Sequence, residues 1–132
     1  MEKLINTLKK LFQVHMVPDL KDSFVDEAGM IHFCQEISMN LYLDIQCYVE
    51  METFKKLTRE ECVGFVLLHE VGHIMTMDDF SEEEWNTYHA ERMLQSLSTR
   101  EYSNFEHWSH PCEKAAMDWA IEHIHLLTEE RR

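Results

Sequence analysis

Between Thr58 and Met77 the chain reads TREECVGFVLLHEVGHIMTM, and this stretch limits the available folds more than any other. Thr58 followed three residues later by Glu61 is a capping box that opens a helix. From Cys62 onward the residues are apolar on nearly every side of that helix, so it has no face to give to water. Such a helix must lie at the centre of a domain with other elements packed around it. At 132 residues the chain is long enough for one such core and too short for two, so a single domain over 1–132 is expected. With 3 Gly and 2 Pro, the chain favours long regular elements joined by short connections.

The surrounding elements follow from periodicity. Leu4, Ile5, Leu8, Leu11 and Phe12 recur at helical spacing, which predicts an amphipathic helix over residues 2–14, ended by Pro18. SFVDEAGMIHF, residues 23–33, has apolar arms around Asp26-Glu27-Ala28-Gly29 and reads as a hairpin, with Gly29 supplying a positive φ. In LYLDIQCYVEM, Leu41, Leu43, Ile45, Cys47, Val49 and Met51 alternate with polar or aromatic residues, which predicts a half-buried strand over 41–51. Ser81 opens a helix running to about Leu97, and Pro111 near a first helical position opens the last, running to about Leu127. The expected fold is α+β: an N-terminal helix, a small antiparallel three-stranded sheet, then three helices, the buried one among them.

Charge and cysteine usage narrow the function classes. Twelve basic against 25 acidic side chains give a formal net charge of −13, which disfavours direct contact with a nucleic-acid backbone. No segment approaches the roughly 18 apolar residues of a membrane helix. The N-terminal apolar pattern is broken early by Lys3, Lys9 and Lys10. Cys34, Cys47 and Cys62 fall in apolar stretches without CxxC pairing and read as small buried hydrophobes. A cytoplasmic protein is expected.

His69, Glu70 and His73 spell HExxH inside the central helix. Positions i and i+4 lie one turn apart on one face, so both imidazoles can reach one ion, and the Glu between them points to the same region. With 9 His and 18 Glu, about one shuffled chain in twelve would contain the spelling, so the letters alone are not decisive. The burial is. Two imidazoles and a carboxylate in an apolar helix cost several kcal/mol unless something satisfies them, and a zinc ion satisfies all three. Gly72, a poor residue for a helix interior, implies that another backbone or side chain passes close by.

VLLHEVGHIM is similar to the active-site helix of the zincin metallopeptidases, and the order of elements resembles the minimal gluzincin core of the ImmA/IrrE-type peptidases. The resemblance spans about residues 23–127, with only the HExxH segment specific. It implies a zinc-dependent peptidase acting on a protein or peptide substrate, with Glu70 as general base and a third ligand from a later helix. In CEKAAMDWAIEHI that ligand is Glu113, followed by Ala116, Trp119 and Ala120 where the family's motif has them. The family's Asp four residues after the ligand is Met117 here. Helical-wheel geometry independently puts Glu113 on the apolar side with Ala116, Met117, Ala120, Ile124 and Leu127. Asp118, His89, Glu91 and Asp79 stay open as alternatives. In zincins a sheet-edge strand aligns the substrate, a role implied here for 41–51. Tyr88, His107 and His110 are the options for stabilising the oxyanion. His107, His110 and Cys112 match no common zinc module and read as loop and cap residues. His123 and His125 read as surface or edge residues, and Trp85, Trp108 and Trp119 as core or groove wall. The competing expectation is a catalytically silent zinc-binding protein that keeps the fold as an interaction or regulatory module.

Overall fold

A computed structural model describes residues 1–18, 22–98 and 102–129. It is an α+β fold in which a three-stranded sheet sits beside a helical assembly built around the central apolar helix. In chain order the elements are α1 (Glu2–Leu11), β1 (Val14–Met16), β2 (Phe24–Val25), β3 (Ile31–Phe33), α2 (Met39–Thr53), α3 (Arg59–Thr76), α4 (Glu82–Leu97), α5 (Asn104–Trp108), α6 (Pro111–Glu122) and α7 (His125–Thr128). A 3-10 turn, Met77–Asp79, follows α3.

The Thr58 hydroxyl accepts from Glu61 N while the Glu61 carboxylate accepts from Thr58 N, so the capping box that opens α3 is complete. Buried residues run almost without interruption from Glu61 to His73. α6 packs along α3, and their closest approach is at Gly72. A Cβ there would stand 2.6 Å from the Ala116 carbonyl oxygen and 3.1 Å from its Cα. This explains the glycine: α6 comes so near that no side chain fits between the two backbones. Ala116 and Ala120, both fully buried, keep the α6 side of the contact equally thin. Met117 is buried on the same side, as the helical wheel required, and Ile124 and Leu127 are buried too but lie beyond the end of α6. Asp118 lies on the opposite, exposed side in an ion pair with Lys114.

The hairpin forms as expected. Asp26 Oδ1 accepts from Ala28 N and Met30 N, and Gly29 takes φ +87°. The sheet itself differs from expectation: its order is β1-β3-β2, with β2 antiparallel to β3 but β1 parallel to it. The strand unforeseen in sequence is β1, three residues directly after α1, too short for alternation to register.

Residues 41–51 are a helix, not a strand. Ser38 caps α2 by accepting from Leu41 N, and Leu41, Ile45 and Val49 form an i, i+4, i+8 stripe towards the core. That stripe also satisfies a period of two, which is why alternation misread it. Leu, Met, Gln and Glu in this segment favour helix, and β-branched residues are few. The helix leaves Leu43, Met51 and Cys47 exposed, so Cys47 is not the buried hydrophobe its neighbours suggested. α2 ends at Phe54, whose φ of 60° breaks the helical path. The expected single C-terminal helix is interrupted at His123, and α5 is an additional turn of helix capped by Ser103. No described helix is long and apolar enough to cross a membrane.

Replacing Gly72 by Ala raises helix propensity by about 1 kcal/mol, yet it drives a methyl into the Ala116 backbone. Overpacking against backbone costs about 1–3 kcal/mol, so Gly72→Ala should be net destabilising in chemical denaturation. An unchanged or raised midpoint would refute the close α3–α6 contact.

Candidate metal centre

The contact at Gly72 fixes how α6 presents its first turn to α3. His110 caps α6 by accepting from Cys112 N, and Pro111 occupies the first helical positions. Glu113 then points into the interior, 1% exposed, opposite the two imidazoles of α3. Its Oε2 lies 3.0 Å from His69 Nε2, and its Oε1 lies 2.9 Å from His73 Nε2. His69, His73 and Glu113 thus offer one ligand atom each within 4.8 Å of one another.

Two further groups converge on the same carboxylate. Tyr88, from the buried side of α4, donates its hydroxyl to Glu113 Oε1 and stacks near His73 with ring centroids 5.8 Å apart. His107, from α5, places Nε2 3.1 Å from Glu113 Oε2. The carboxylate that lacks the expected Asp support, Met117 being a buried core residue, is therefore held by a tyrosine and a histidine from the segment between the two helices.

Electrostatics follow from burial and this crowding. Burial works against the Glu113 carboxylate, but His69 and His73 beside it, with hydrogen bonds from His107 and His69, hold its pKa well below the usual value. Burial also opposes charge on His69, and the charge and hydrogen bond of Glu113 outweigh this and raise its pKa. Glu70 moves the other way from Glu113. Burial pushes its pKa up against the pull of His69 and His73. Burial and the neighbouring Glu113 charge raise the Tyr88 phenol far above its ordinary range, so it stays a neutral donor. His69 Nδ1, His73 Nδ1 and Glu70 Oε2 are buried with no protein partner. Each unsatisfied group of this kind costs about 1–3 kcal/mol; both imidazoles meet Glu113 through Nε2, so a metal held there would leave their Nδ1 atoms to other partners.

The donor set fits zinc. Two imidazoles and one carboxylate are a common three-residue set for a site that keeps a fourth position open. The 2.9 and 3.0 Å contacts run to different Glu113 oxygens and the three ligand atoms lie within 4.8 Å of one another, so they would draw in towards the about 3.3 Å spacing of ligand atoms around a tetrahedral ion. His69, His73 and Glu113 are the residues that would hold the ion.

The other sequence candidates lie elsewhere. Asp118 is exposed and paired with Lys114, Glu91 pairs with His110, and Asp79 is exposed on the 3-10 turn. His89 is buried, but its ring packs edge-on against Trp85 with Nε2 unpartnered, outside the cluster. His123 stacks on Trp119, and His125 is exposed. Of the three oxyanion options, Tyr88 and His107 both contact Glu113 and His110 caps α6, but His107 alone of the three also lines a cleft. That cleft, about 340 Å³, opens beside His69 and Glu70 and is walled by α4 and α5 through Arg92, Asn104 and Trp108. Sequence reasoning missed Arg92 and the α5 wall. Ser103 with Glu106 in SNFE was a readable capping box for α5.

No protein-family model matches the chain, and comparisons with curated proteins and with solved structures find no match.

The shifts determine how the metal-free chain responds to pH. His69 has a folded pKa above 6.5, so its pairing contributes fully below 6.5 and is lost as pH rises through the folded value. Glu113 has a folded pKa below 4.5, so its contribution is present above 4.5 and lost as pH falls through the folded value. The stability lost in Glu113→Gln, measured without metal, should therefore be largest between pH 4.5 and 6.5 and shrink on both sides. A difference that stays constant from acid to alkaline pH would contradict the coupling of Glu113 to His69.

Proposed function

We propose that this chain is a zinc-dependent peptidase of the zincin type, cleaving a protein or peptide substrate held in the cleft beside α3. What carries the reading is the convergence of His69, His73 and Glu113 within 4.8 Å, next to a buried Glu70 and an open cleft. The three residues hold the ion. Zinc in such a set acts as a Lewis acid, polarising a carbonyl and lowering the pKa of water to about 7.

The remaining work belongs to the chain. Glu70 is the proton carrier. It is 5% exposed, and its raised pKa brings its affinity for a proton nearer to neutrality, as a group that must accept a proton and later return it to the leaving amine requires. Tyr88 fixes the Glu113 carboxylate so that both its oxygens face the imidazoles. His107 borders the cleft and would have to exchange its Glu113 contact to meet a substrate carbonyl oxygen as charge develops there. Since residues 41–51 are helical, substrate alignment falls to β2. This strand is an edge of the sheet, and the Asp22-Ser23 approach to it lines the cleft.

A second reading is a catalytically silent zinc-binding module. It is favoured by one observation: His107 Nε2 lies close enough to Glu113 Oε2 to become a fourth donor, which would close the open position.

Elemental analysis and a peptide-library assay on the same preparations separate the two. Wild type should carry one zinc per chain and cleave. His73→Ala should lose both, and Glu113→Ala should bind zinc at least about tenfold more weakly. Glu70→Gln should keep its zinc while activity falls by about 10²–10⁴-fold. Zinc binding unaffected by His73→Ala would sink both readings. Full zinc with no cleavage, together with weaker zinc binding in His107→Ala, would select the silent module.

A further inference from the structure

Arg92 stands where α4, β2 and the metal centre meet. Its guanidinium carbon lies 5.6 Å from the Phe24 ring centroid and 6.0 Å from that of Tyr88. The side chain is half-buried, and it lines the cleft that His69 and Glu70 also border. Among the described residues no other Lys or Arg lines that cleft, and no ion pair engages Arg92. This is unexpected in a chain with 25 acidic side chains against 12 basic ones. Gln95, Ser103 and Asn104 on the same wall are neutral, and Asp22 and Glu70 are the acidic groups that line the cleft with Arg92.

Stacking on aromatic faces holds a guanidinium in place and leaves its in-plane N–H groups free. That fork matches a carboxylate, which it can bind through two parallel charge-assisted hydrogen bonds. The overall negative charge does not prevent this, because exposed charges are screened beyond about 8–10 Å. Inside the cleft Arg92 is the one cation among the described lining residues, facing Asp22 and Glu70, so a ligand carboxylate is held by direct contact with the guanidinium rather than by the field of the whole cleft.

We propose that Arg92 is the specificity-determining residue of this cleft, binding a carboxylate of the peptide seated beside Glu70. The proposal rests on the peptidase reading and adds its substrate class: peptides with an acidic side chain or a free C-terminal carboxylate next to the site. Both sources present the same group to the fork.

The test is equilibrium binding by fluorescence anisotropy to zinc-loaded Glu70→Gln protein, so that no probe is consumed. Four labelled octapeptide pools, otherwise randomised, carry Glu or Gln at a fixed position, each with a free or an amidated C-terminus. One carboxylate source should improve affinity about tenfold over the neutral Gln-amide pool. The pool that gains identifies the source. Adding Arg92→Gln should abolish that preference and leave neutral-pool affinity within about twofold, and Arg92→Glu should invert it. Should Arg92→Gln fail to fold, Arg92→Lys serves instead, keeping the charge but losing the planar fork and with it most of the preference. Absence of preference in all pools, or an equal loss on all four pools in the variant, would overturn the proposal. Because no turnover is read, a charge preference in a protein that never cleaves leaves Arg92's role standing and removes the peptidase. Cleavage without charge preference does the reverse.

Discussion

The arrangement depends on one buried carboxylate. Glu113 is 1% exposed, accepts from the Tyr88 phenol, hydrogen-bonds His69, and has the Nε2 atoms of His73 and His107 within 3.1 Å. An isolated carboxylate at that depth would be neutralised or expelled. Here, positive charge on its partners keeps it ionised, and its charge in turn raises the pKa of His69. The groups are interdependent. Removing the carboxylate leaves buried imidazoles without acceptors, and removing the imidazoles leaves a buried charge. Breaking a buried pair from one side is far more damaging than never having built it.

This interdependence needs backbone precision, which Gly72 and Ala116 supply. The two helices touch through main chain, and Ala116 lies one turn beyond Glu113 on α6. Side-chain packing between helices tolerates shifts as rotamers adjust, but contact between backbones does not. The spacing of His69 and His73 from Glu113 is therefore set by the least adjustable atoms in the protein.

Much of this was readable in the sequence, for local reasons. The capping box at Thr58, the helix start at Ser81, the Asp26–Gly29 turn and the inward face of α6 are all determined within a few residues, and all appear in the structure. The HExxH triplet and Glu113 were legible because polar groups stood out against an apolar background. What failed was non-local. LYLDIQCYVEM alternates cleanly, but a strand of eleven residues needs a partner of similar length, and the sheet's strands are two or three residues long. The tertiary context decided for helix. The parallel pairing of β1 with β3 has no local signature either. Tyr88, Arg92 and His107 were unreadable as a group because only the folded path of the chain brings them to one cleft.

That path divides the labour along the chain. His69, Glu70, His73 and Glu113 sit on two helices locked against each other. The excursion between them, residues 74–112, contributes Tyr88, Arg92, Asn104, His107 and Trp108, the residues that grip the carboxylate from outside or wall the cleft. The chain thus sets a rigid chemical frame against a wall drawn largely from one insert and completed by Asp22, Ser23, Leu41 and Ile45 from earlier in the chain. Exchanging the insert would change Arg92, Asn104, His107 and Trp108 together while the approach to β2 stays in place, provided the replacement still delivers a donor where Tyr88 holds Glu113.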